Sequence, residues 1–204
     1  MNYIATIYVI DDDPAVRDSL KLLLEQENYN VETFENASEF LAEYNPVPYS
    51  CAIVDVRMPG IDGFQLQAEL TRRGNLLPVI FLTGHGDIPL SVRAIKMGAL
   101  DFLTKPVRAD AILGTIRQAL MESERLGKQV DEIHSNEARL SSLTEREREV
   151  MALAINGLNN KLIARSLGIS HRTVEIHKAR LLKKAGVDNL FELARIVDTN
   201  GFRA

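Results

Sequence analysis

Three adjacent carboxylates, Asp11, Asp12 and Asp13, directly follow the short apolar run at residues 7–10. Two like charges about 4 Å apart repel each other by about 4 kcal/mol at an effective dielectric constant of about 20. A further carboxylate, Asp55, ends another apolar run, and Lys105 ends a third. Because buried strands rarely finish in unpaired charges, this pattern predicts that the charged groups share one functional pocket.

A divalent cation would offset the repulsion within such a cluster. Mg²⁺ prefers oxygen ligands in near-octahedral geometry, and Mn²⁺ accepts a similar set. A pocket that combines such a cation with an accessible aspartate, the hydroxyl of Thr83 and the ammonium group of Lys105 suits phosphoryl transfer. In that chemistry the carboxylate attacks phosphorus, while the positive charges neutralise the transferred oxygens. The pattern therefore predicts a metal-assisted phosphotransfer site.

The elements that position these residues alternate along residues 1–121. Apolar runs at 6–10, 30–34, 51–56, 78–83 and 101–105 are typical of buried strands, and amphipathic windows with helical spacing separate them. Five such units predict an α/β fold, a doubly wound five-stranded parallel sheet with helices on both faces. Ligands bind these sheets at the carboxyl ends of the strands, which is where the acidic residues, Thr83 and Lys105 fall.

The composition is that of a globular protein without a membrane span. Of the 204 residues, 46% are hydrophobic and 25% are charged. No apolar run reaches the length of about 18 residues that a membrane helix needs, and the first residues lack the basic region of a signal peptide. The single cysteine, Cys51, excludes an internal disulfide. We therefore expect a protein of the reducing cytoplasm.

Charge divides the chain into an acidic front and a basic tail. Residues 139–204 carry 12 basic and 7 acidic residues, whereas residues 1–138 carry 12 basic and 21 acidic residues. The segment 122–142 is highly charged and lacks proline, which fits a helical connector and a flexible linker equally well. We therefore predict three parts, 1–121, 122–142 and an all-helical domain at 143–204 whose basic surface meets nucleic acid.

The helical part contains the pattern of a helix-turn-helix unit. Thr144 and Glu147 form a capping box at the start of its first helix. Two later helices are joined by the turn SLGIS, and the second of them begins after Ser170. In such units the second helix enters the major groove of DNA. A further helix completes a small four-helix domain.

The outward face of the second helix supplies the candidate DNA contacts. Helical spacing directs one set of side chains toward the groove, namely Arg172, Glu175, Ile176, Ala179 and Lys183. Other polar side chains are suited to phosphate contacts, namely Lys161, Arg165, Thr173, Lys178, Arg180 and Lys184. The opposite stripe, which includes Val174, His177 and Leu181, is predicted to pack inward.

Motifs in the front part resemble the receiver domain of bacterial response regulators over residues 4–121. The matching stretches are VIDDD, VDVRMPGIDG, FLTGHGD and DFLTKP. The resemblance implies a cis peptide bond between Lys105 and Pro106 and Mg²⁺ binding directly at Asp12 and through water at Asp11. It implies the following set of functional residues: the phosphoacceptor Asp55, the metal-binding residues Asp11, Asp12, Asp55 and Arg57 (through its carbonyl), the hydroxyl of Thr83, the charged partner Lys105 and the switch aromatic Phe102.

The tail, from Leu143 to about residue 197, resembles the LuxR-type DNA-binding domain, through stretches such as LTEREREV and SHRTVEIHKARLLKKAG. A receiver followed by this domain resembles the NarL/FixJ family, and TGHGDIPLSVRAIKMGALDFLTKP is similar to its FixJ branch. The resemblance implies a transcription factor with a sensor histidine kinase, promoter DNA and RNA polymerase as partners. Phosphorylation of Asp55 is then expected to move Thr83 and Phe102. As a result, the protein either forms a homodimer or releases its tail.

Two interpretations stay open for some residues near the pocket. Asp13 is a metal ligand or the N-cap of the first helix, and Phe102 is a core aromatic, a switch residue or both. Asp62 and Asp87 are expected to cap helices. The glycines on each side of His85 indicate a mobile loop rather than a phosphotransfer histidine.

Two other classes of protein remain as alternatives. Phosphatases of the haloacid dehalogenase type also use Mg²⁺ and an aspartate nucleophile in a D-x-D motif, whose spacing Asp11 and Asp13 match, although no cap insertion is evident. The other alternative is a phosphorelay scaffold without a DNA-binding role. Turnover of an aryl phosphate would favour the first, and salt-dependent binding of a promoter fragment would exclude the second.

Overall fold

The computed structural model describes residues 4–84 and 88–199 of the chain. Strands and helices alternate first, and helices alone follow. The strands are β1 (Thr6–Ile10), β2 (Asn30–Phe34), β3 (Ser50–Asp55), β4 (Val79–Thr83) and β5 (Asp101–Thr104). The helices are α1 (Pro14–Gln26), α2 (Ala37–Glu43), α3 (Gly63–Arg72), α4 (Ile88–Lys96), α5 (Ala109–Ser141), α6 (Glu145–Ile155), α7 (Asn160–Leu167), α8 (His171–Ala185) and α9 (Leu190–Thr199).

The predicted doubly wound sheet is confirmed. Its five strands lie in the order β2-β1-β3-β4-β5, and all neighbouring pairs are parallel. The chain winds from β1 to one edge and from β3 to the other, so the direction of winding reverses between these two strands. This reversal is the topological switch point, where a crevice opens at the carboxyl ends of an open parallel sheet.

Helices cover both faces of the sheet, which explains why its strands are apolar throughout. Successive side chains of a strand point to opposite faces, and β1 shows this clearly. Ile7 and Val9 join a buried cluster with side chains of α1 and α5. Tyr8 and Ile10 join a second buried cluster with side chains of α2 and α3. Three strands, β1, β3 and β4, are buried at every position.

Short polar caps begin the helices beside the carboxyl ends of the strands. The Asp13 carboxylate accepts a hydrogen bond from the amide of Ala15 at 2.9 Å, and α1 starts with a proline at its first position. Asp62 forms a capping box with Gln65 at the start of α3. The cap interpretation of Asp13 is therefore confirmed, and the D-x-D spacing of the phosphatase alternative is explained by a helix cap.

Helix α5 runs without a break for 33 residues, from Ala109 to Ser141. The segment for which a helical and a flexible connector were both open is thus helical down to Ser141. The chain forms two compact units, residues 1–128 and 129–204. In the first unit Ile112 and Ile116 of α5 are buried against the sheet, and in the second Leu140 joins the core of the helical domain.

The second unit packs α6 to α9 around one apolar cluster. Val150, Ile163, Leu181 and Leu193, one from each helix, are fully buried. The predicted capping box of Thr144 starts α6. No helix among the described residues combines the length and the apolar character that crossing a membrane requires.

Candidate functional site

Strand register brings two of the predicted acidic residues together. In the parallel pair of β1 and β3, Ile10 lies opposite Val54, so the residues that follow, Asp11 and Asp55, are neighbours at the switch point. Only 2% of Asp11 and 5% of Asp55 is exposed. Two neighbouring buried carboxylates need a cation, because burial weakens the solvation that would otherwise offset their repulsion.

Lys105 supplies that cation from the end of β5. Its amide donates to the carbonyl of Thr83 at 2.7 Å, which extends the pairing of β5 with β4 by one residue. Its Nζ lies 2.5 Å from Asp11 Oδ2 and 2.8 Å from Asp55 Oδ1. The structure therefore brings Asp11, Asp55 and Lys105 into one hydrogen-bonded triad. The Lys105–Pro106 peptide bond is cis, as the resemblance implied.

Burial and charge act in opposite directions on the triad. Burial raises the pKa of Asp11 and the charge of Asp55 adds to this rise, whereas hydrogen bonds from Lys105 and the amide of Asp13 oppose it without cancelling it. Burial alone would lower the pKa of Lys105, but the hydrogen bonds and charges of the two carboxylates outweigh it and raise that pKa. Lys105 therefore remains protonated and provides a permanent positive charge beside Asp55.

The orientation of Asp55 is determined by the loop and the helix that follow it. The amide of Arg57 donates to Asp55 Oδ2 at 2.6 Å, while Lys105 occupies the other oxygen. Helix α3 begins at Gly63, where a Cβ atom would lie only 2.5 Å from the Asp55 carbonyl oxygen. Only glycine permits this approach. Asp55 is thus oriented before any ligand binds.

Asp12 differs from its neighbours because its carboxylate is exposed and has no hydrogen-bond partner among the described residues. Together with Asp55 and the carbonyl of Arg57 it forms an all-oxygen donor set, which fits Mg²⁺ or Mn²⁺. Within the described part of the chain, no three His, Cys, Asp or Glu side chains converge as a metal-binding group. Magnesium usually keeps several waters and takes one or two carboxylates, so this sparse set still fits the ion.

Thr83 and Phe102 lie on the strands that carry the rest of the site. Thr83 ends β4 and is 1% exposed. Phe102 pairs in register with Phe81 and packs, half-buried, against the cluster on the α2 and α3 face. Phe102 is therefore a core aromatic, and its switch role stays a prediction. His85 and Asp87, which follow Thr83 in the sequence, lie outside the described residues.

The second unit forms the predicted helix-turn-helix. Gly168 ends α7 with a φ of 64°, which favours glycine, and Ser170 caps α8 by accepting from the amide of Thr173 at 3.1 Å. Val174 and Leu181 of α8 are fully buried, as predicted for its inward stripe, and His177 is half-buried. The side chains predicted to face the groove are all exposed, namely Arg172, Glu175, Ile176, Ala179 and Lys183.

The predicted phosphate contacts divide into free and engaged groups. Lys161, Arg165 and Arg180 are exposed. Lys178, in contrast, donates to Asn160 Oδ1 at 3.0 Å. The hydroxyls of Thr173 and Ser170 lie 2.8 Å apart. Lys184 Nζ lies 2.7 Å from Glu147 Oε2, so its charge is already paired within the domain.

Sequence reasoning missed the structural roles of two side chains, those of Arg17 and Glu147. Arg17 donates from Nη1 to the carbonyl of Asp11 at 2.7 Å. The signal was its position four residues after the cap Asp13, since residues three and four apart share a helix face. Glu147 was recognised only as part of a capping box, yet it is 3% exposed and binds Lys184. Long-range partners of this kind leave no periodic signal in a sequence.

The fold and its two sites define a class of protein. A doubly wound domain with a buried Asp–Lys–Asp triad at its switch point is followed by a helix-turn-helix domain with an exposed basic recognition helix. The family of response regulator receiver domains matches residues 7–117. The luxR family of bacterial regulatory proteins matches residues 141–197. Together the two matches identify the class as response regulators that carry a DNA-binding domain, which agrees with the geometry of both sites.

Comparison with individual proteins narrows the class. The transcriptional regulatory protein FixJ of Bradyrhizobium diazoefficiens is 43% identical over 190 residues, which cover 93% of this chain and 93% of that protein. FixJ of Azorhizobium caulinodans is 45% identical over 190 residues, which cover 93% and 90% respectively. The solved structure of the response regulator StyR is 41% identical, with a TM-score of 0.82 over 97% of this chain and 100% of that chain.

The chain belongs to the NarL/FixJ family of response regulators, and its similarity to FixJ confirms the branch expected from its motifs. It is a transcription factor controlled by phosphorylation rather than a classical enzyme. Membership implies a histidine kinase and promoter DNA as partners, and receiver domains generally use Mg²⁺ for phosphorylation. The presence of the LuxR-type domain removes the scaffold alternative.

Proposed function

We propose that Asp55 accepts a phosphoryl group from a sensor histidine kinase and that this modification controls promoter binding by the tail. The observation that carries the proposal is the buried triad, in which Lys105 Nζ lies 2.8 Å from Asp55 Oδ1 and 2.5 Å from Asp11 Oδ2. A carboxylate nucleophile beside a permanent cation suits phosphoryl transfer, because the developing charge on the phosphoryl oxygens meets an oriented positive group.

In the transfer step an Asp55 oxygen attacks phosphorus and the imidazole nitrogen of the phosphohistidine leaves. The product is an acyl phosphate on Asp55. Lys105 stays protonated and contacts a phosphoryl oxygen, and the Thr83 hydroxyl, which lies at the end of β4, donates to another. Attack of water on the same phosphorus later breaks its bond to the Asp55 oxygen, which releases inorganic phosphate and regenerates the carboxylate. The receiver thus supports its own phosphorylation and dephosphorylation without being a stand-alone enzyme.

The metal site of this proposal consists of oxygen donors from two strand ends. Asp12, Asp55 and the carbonyl of Arg57 would bind Mg²⁺ or Mn²⁺ directly, and Asp11 would bind through water. The cation, when bound, supplies positive charge that stabilises the transferring phosphoryl group. The exposed carboxylate of Asp12, which has no partner among the described residues, supports its assignment as a direct ligand.

The consequence of phosphorylation is a change in surface. The phosphoryl group adds about one to one and a half negative charges by analogy with other phosphorylated side chains. Thr83 moves toward it and Phe102 turns further into the core, which remodels the surface of residues 94–102. That surface then dimerises or releases the tail. The half-buried position of Phe102 at the edge of the cluster on the α2 and α3 face supports the role, since part of the ring is still exposed to water.

The tail then acts on DNA as a homodimer. The exposed face of α8 reads bases through Arg172, Glu175, Ile176, Ala179 and Lys183, while Lys161, Thr173 and Lys178 contact phosphates. In this proposal residues 1–121 form the receiver, 122–142 the connector and 143–204 the DNA-binding domain. Promoter binding and contact with RNA polymerase place the protein in the bacterial cytoplasm.

Labelling of the full-length chain with acetyl phosphate and Mg²⁺ tests the phosphoacceptor. Asp55→Asn removes the nucleophile and is expected to abolish the mass increase of one phosphoryl group in intact-protein mass spectrometry. The matched control is Asp62→Asn, which keeps a good helix cap and is expected to label at the wild-type rate. Labelling of Asp55→Asn at the wild-type rate would contradict the assignment.

A further inference from the structure

We infer that Arg17 is a positioning residue that holds the peptide of Asp11 and Asp12 in the conformation that directs the Asp12 carboxylate toward the metal. Arg17 lies in the first turn of α1, and its Nη1 donates to the Asp11 carbonyl at 2.7 Å. The inference rests on the proposed function, because it takes Asp12 to be a metal ligand. It adds a residue outside the acidic cluster to the construction of that site.

Asp11 is fixed at each of its polar groups. Its amide donates to the carbonyl of Phe34 at 3.2 Å, which continues the pairing of β1 with β2. Its carboxylate accepts from the amide of Asp13 at 3.0 Å and from Lys105. The carbonyl remains, and Arg17 occupies it. This carbonyl belongs to the planar peptide unit between Asp11 and Asp12. By holding the carbonyl, Arg17 holds the orientation of that unit and therefore the position of the Asp12 Cα atom.

The other flank of Asp12 is fixed as well. Asp13 caps α1 through Ala15, and its carbonyl accepts from the amides of Val16 at 3.2 Å and Arg17 at 3.1 Å. Asp12 thus lies between two immobilised neighbours while its own carboxylate is exposed. Among the described residues, Arg17 is the side chain of α1 that donates a hydrogen bond to this loop.

The charge of Arg17 does not explain its placement. Arg17 is half-buried, and its guanidinium group has no carboxylate within ion-pair distance among the described residues. A positive charge beside a Mg²⁺ site weakens Mg²⁺ binding by repulsion, whereas correct orientation of a ligand strengthens it. The two roles therefore predict opposite changes in Mg²⁺ affinity when the side chain is removed, and the sign of the change separates them.

Titration of the full-length protein with Mg²⁺ alone, followed by NMR amide shifts, measures this sign without any phosphoryl donor. Arg17→Met removes both the donor and the charge and is expected to raise the Kd for Mg²⁺ about tenfold, the usual size of the effect for residues that orient metal ligands. Arg17→Lys keeps the charge but loses the planar fork, and its Kd is expected to lie between those of Arg17→Met and the wild type.

Lys21→Met is the matched control for charge. It removes a positive charge from the same helix, where Lys21 contacts Glu25 at 3.9 Å and not the acidic loop. Its Kd is expected to stay within about twofold of the wild type, since exposed charges are strongly screened. An unchanged or lower Kd in Arg17→Met would overturn the inference, because any orienting effect of this side chain would then not exceed its repulsion of the cation.

Two further measurements distinguish a loss of Mg²⁺ binding from a general loss of stability. Urea unfolding without metal reports the general stability of each variant, and the extra stability gained on adding Mg²⁺ reports the site itself. If Arg17→Met does not fold, Arg17→Lys decides, and a Kd equal to that of the wild type would then contradict the inference. If the wild type binds no Mg²⁺, the proposed function fails. If it binds Mg²⁺ and accepts phosphate while the Arg17 variants bind equally well, only the role of Arg17 fails.

Discussion

Asp11 and Asp55 are held at adjacent strand ends with almost no exposure to water, and the ammonium group of Lys105 lies between them. Removing one member of such a buried group leaves an uncompensated charge, which is why the three residues must be considered together. The reactivity expected of Asp55 follows from its burial and from its contact with Lys105. The same carboxylates on an exposed loop would repel weakly and would have no oriented cation beside them.

In the helical unit, Glu147 is likewise a buried carboxylate that is paired with a lysine. Its side chain is 4% exposed, while that of its partner Lys184 is 37% exposed. Burial pushes the pKa of Glu147 up, but hydrogen bonds from Lys184 and Thr144 outweigh it, and the pKa is lowered. Because the folded-state pKa lies below the ordinary value of 4.5, the carboxylate stabilises the fold above pH 4.5 and this stability is lost as the pH falls through the folded-state pKa.

Glu147→Gln is expected to lower the free energy of unfolding of the helical unit at pH 7 by about 1–2 kcal/mol, since the hydrogen bond from Lys184 then meets a neutral acceptor instead of a carboxylate. Urea unfolding of the full-length protein at several pH values measures the effect. The difference from the wild type should narrow as the pH falls below 4.5.

The control for Glu147→Gln is Glu149→Gln on the same helix. Glu149 pairs with Arg146, but its side chain is 42% exposed. We expect a loss of at most about 0.5 kcal/mol, as is usual for exposed pairs. A gap between Glu147→Gln and the wild type that stays constant down to low pH would show that the carboxylate charge is not what stabilises the unit.

Among the elements, α8 depends on the residue that terminates it. Gly186 has a φ of 71°, and a Cβ atom there would lie 3.1 Å from a guanidinium nitrogen of Arg139. Gly186→Ala is therefore expected to cost about 1–2 kcal/mol, because a left-handed conformation is unfavourable for alanine. Thermal unfolding of the full chain measures the loss.

Gly127→Ala is the opposite case and serves as the control. Gly127 lies inside α5, and nothing within 4 Å would meet an added Cβ atom. Alanine there is expected to stabilise the protein by about 0.5–1 kcal/mol, since glycine is a poor helix former. Similar effects of the two substitutions would contradict the account of how α8 ends.

The phosphate contacts proposed for α7 and α8 determine how strongly DNA binding depends on salt. Lys161 is exposed and is proposed to contact a phosphate, so Lys161→Ala should reduce the slope of log affinity against log salt by about 0.9. Fluorescence anisotropy of a labelled duplex with the full-length protein measures the slope. Lys21→Ala, in α1, should leave it unchanged. A full slope in Lys161→Ala would place that lysine outside the interface.

Periodicity predicted the elements well, because burial on both faces of a parallel sheet leaves unmistakable apolar runs such as those of β1, β3 and β4. Caps at Asp13, Asp62 and Ser170 were equally visible, since capping is local in sequence. The contact between Glu147 and Lys184 was not, because contacts between distant elements depend on packing. The segment after residue 121 was ambiguous because a charged sequence without proline is compatible with both helix and coil.

At the scale of the whole molecule, two units with separate cores share one helix. Side chains of α5 are buried in the receiver at Ile112 and Ile116 and in the helical unit at Leu140. The acidic unit has the chemistry to receive a phosphoryl group, and the basic unit has the exposed helix to bind DNA. Neither function alone makes a regulator, so the central claim is that the first controls the second.

The most direct test measures DNA affinity of the full-length protein with and without beryllofluoride and Mg²⁺, which together mimic the phosphorylated aspartate. The probe is a duplex selected in vitro by the loaded protein and read by fluorescence anisotropy. We predict that loading tightens binding at least about tenfold, or about 1.4 kcal/mol, in the wild type and leaves Asp55→Asn unchanged. Equal affinity of the loaded and unloaded wild type, or equal tightening in Asp55→Asn, would contradict the account.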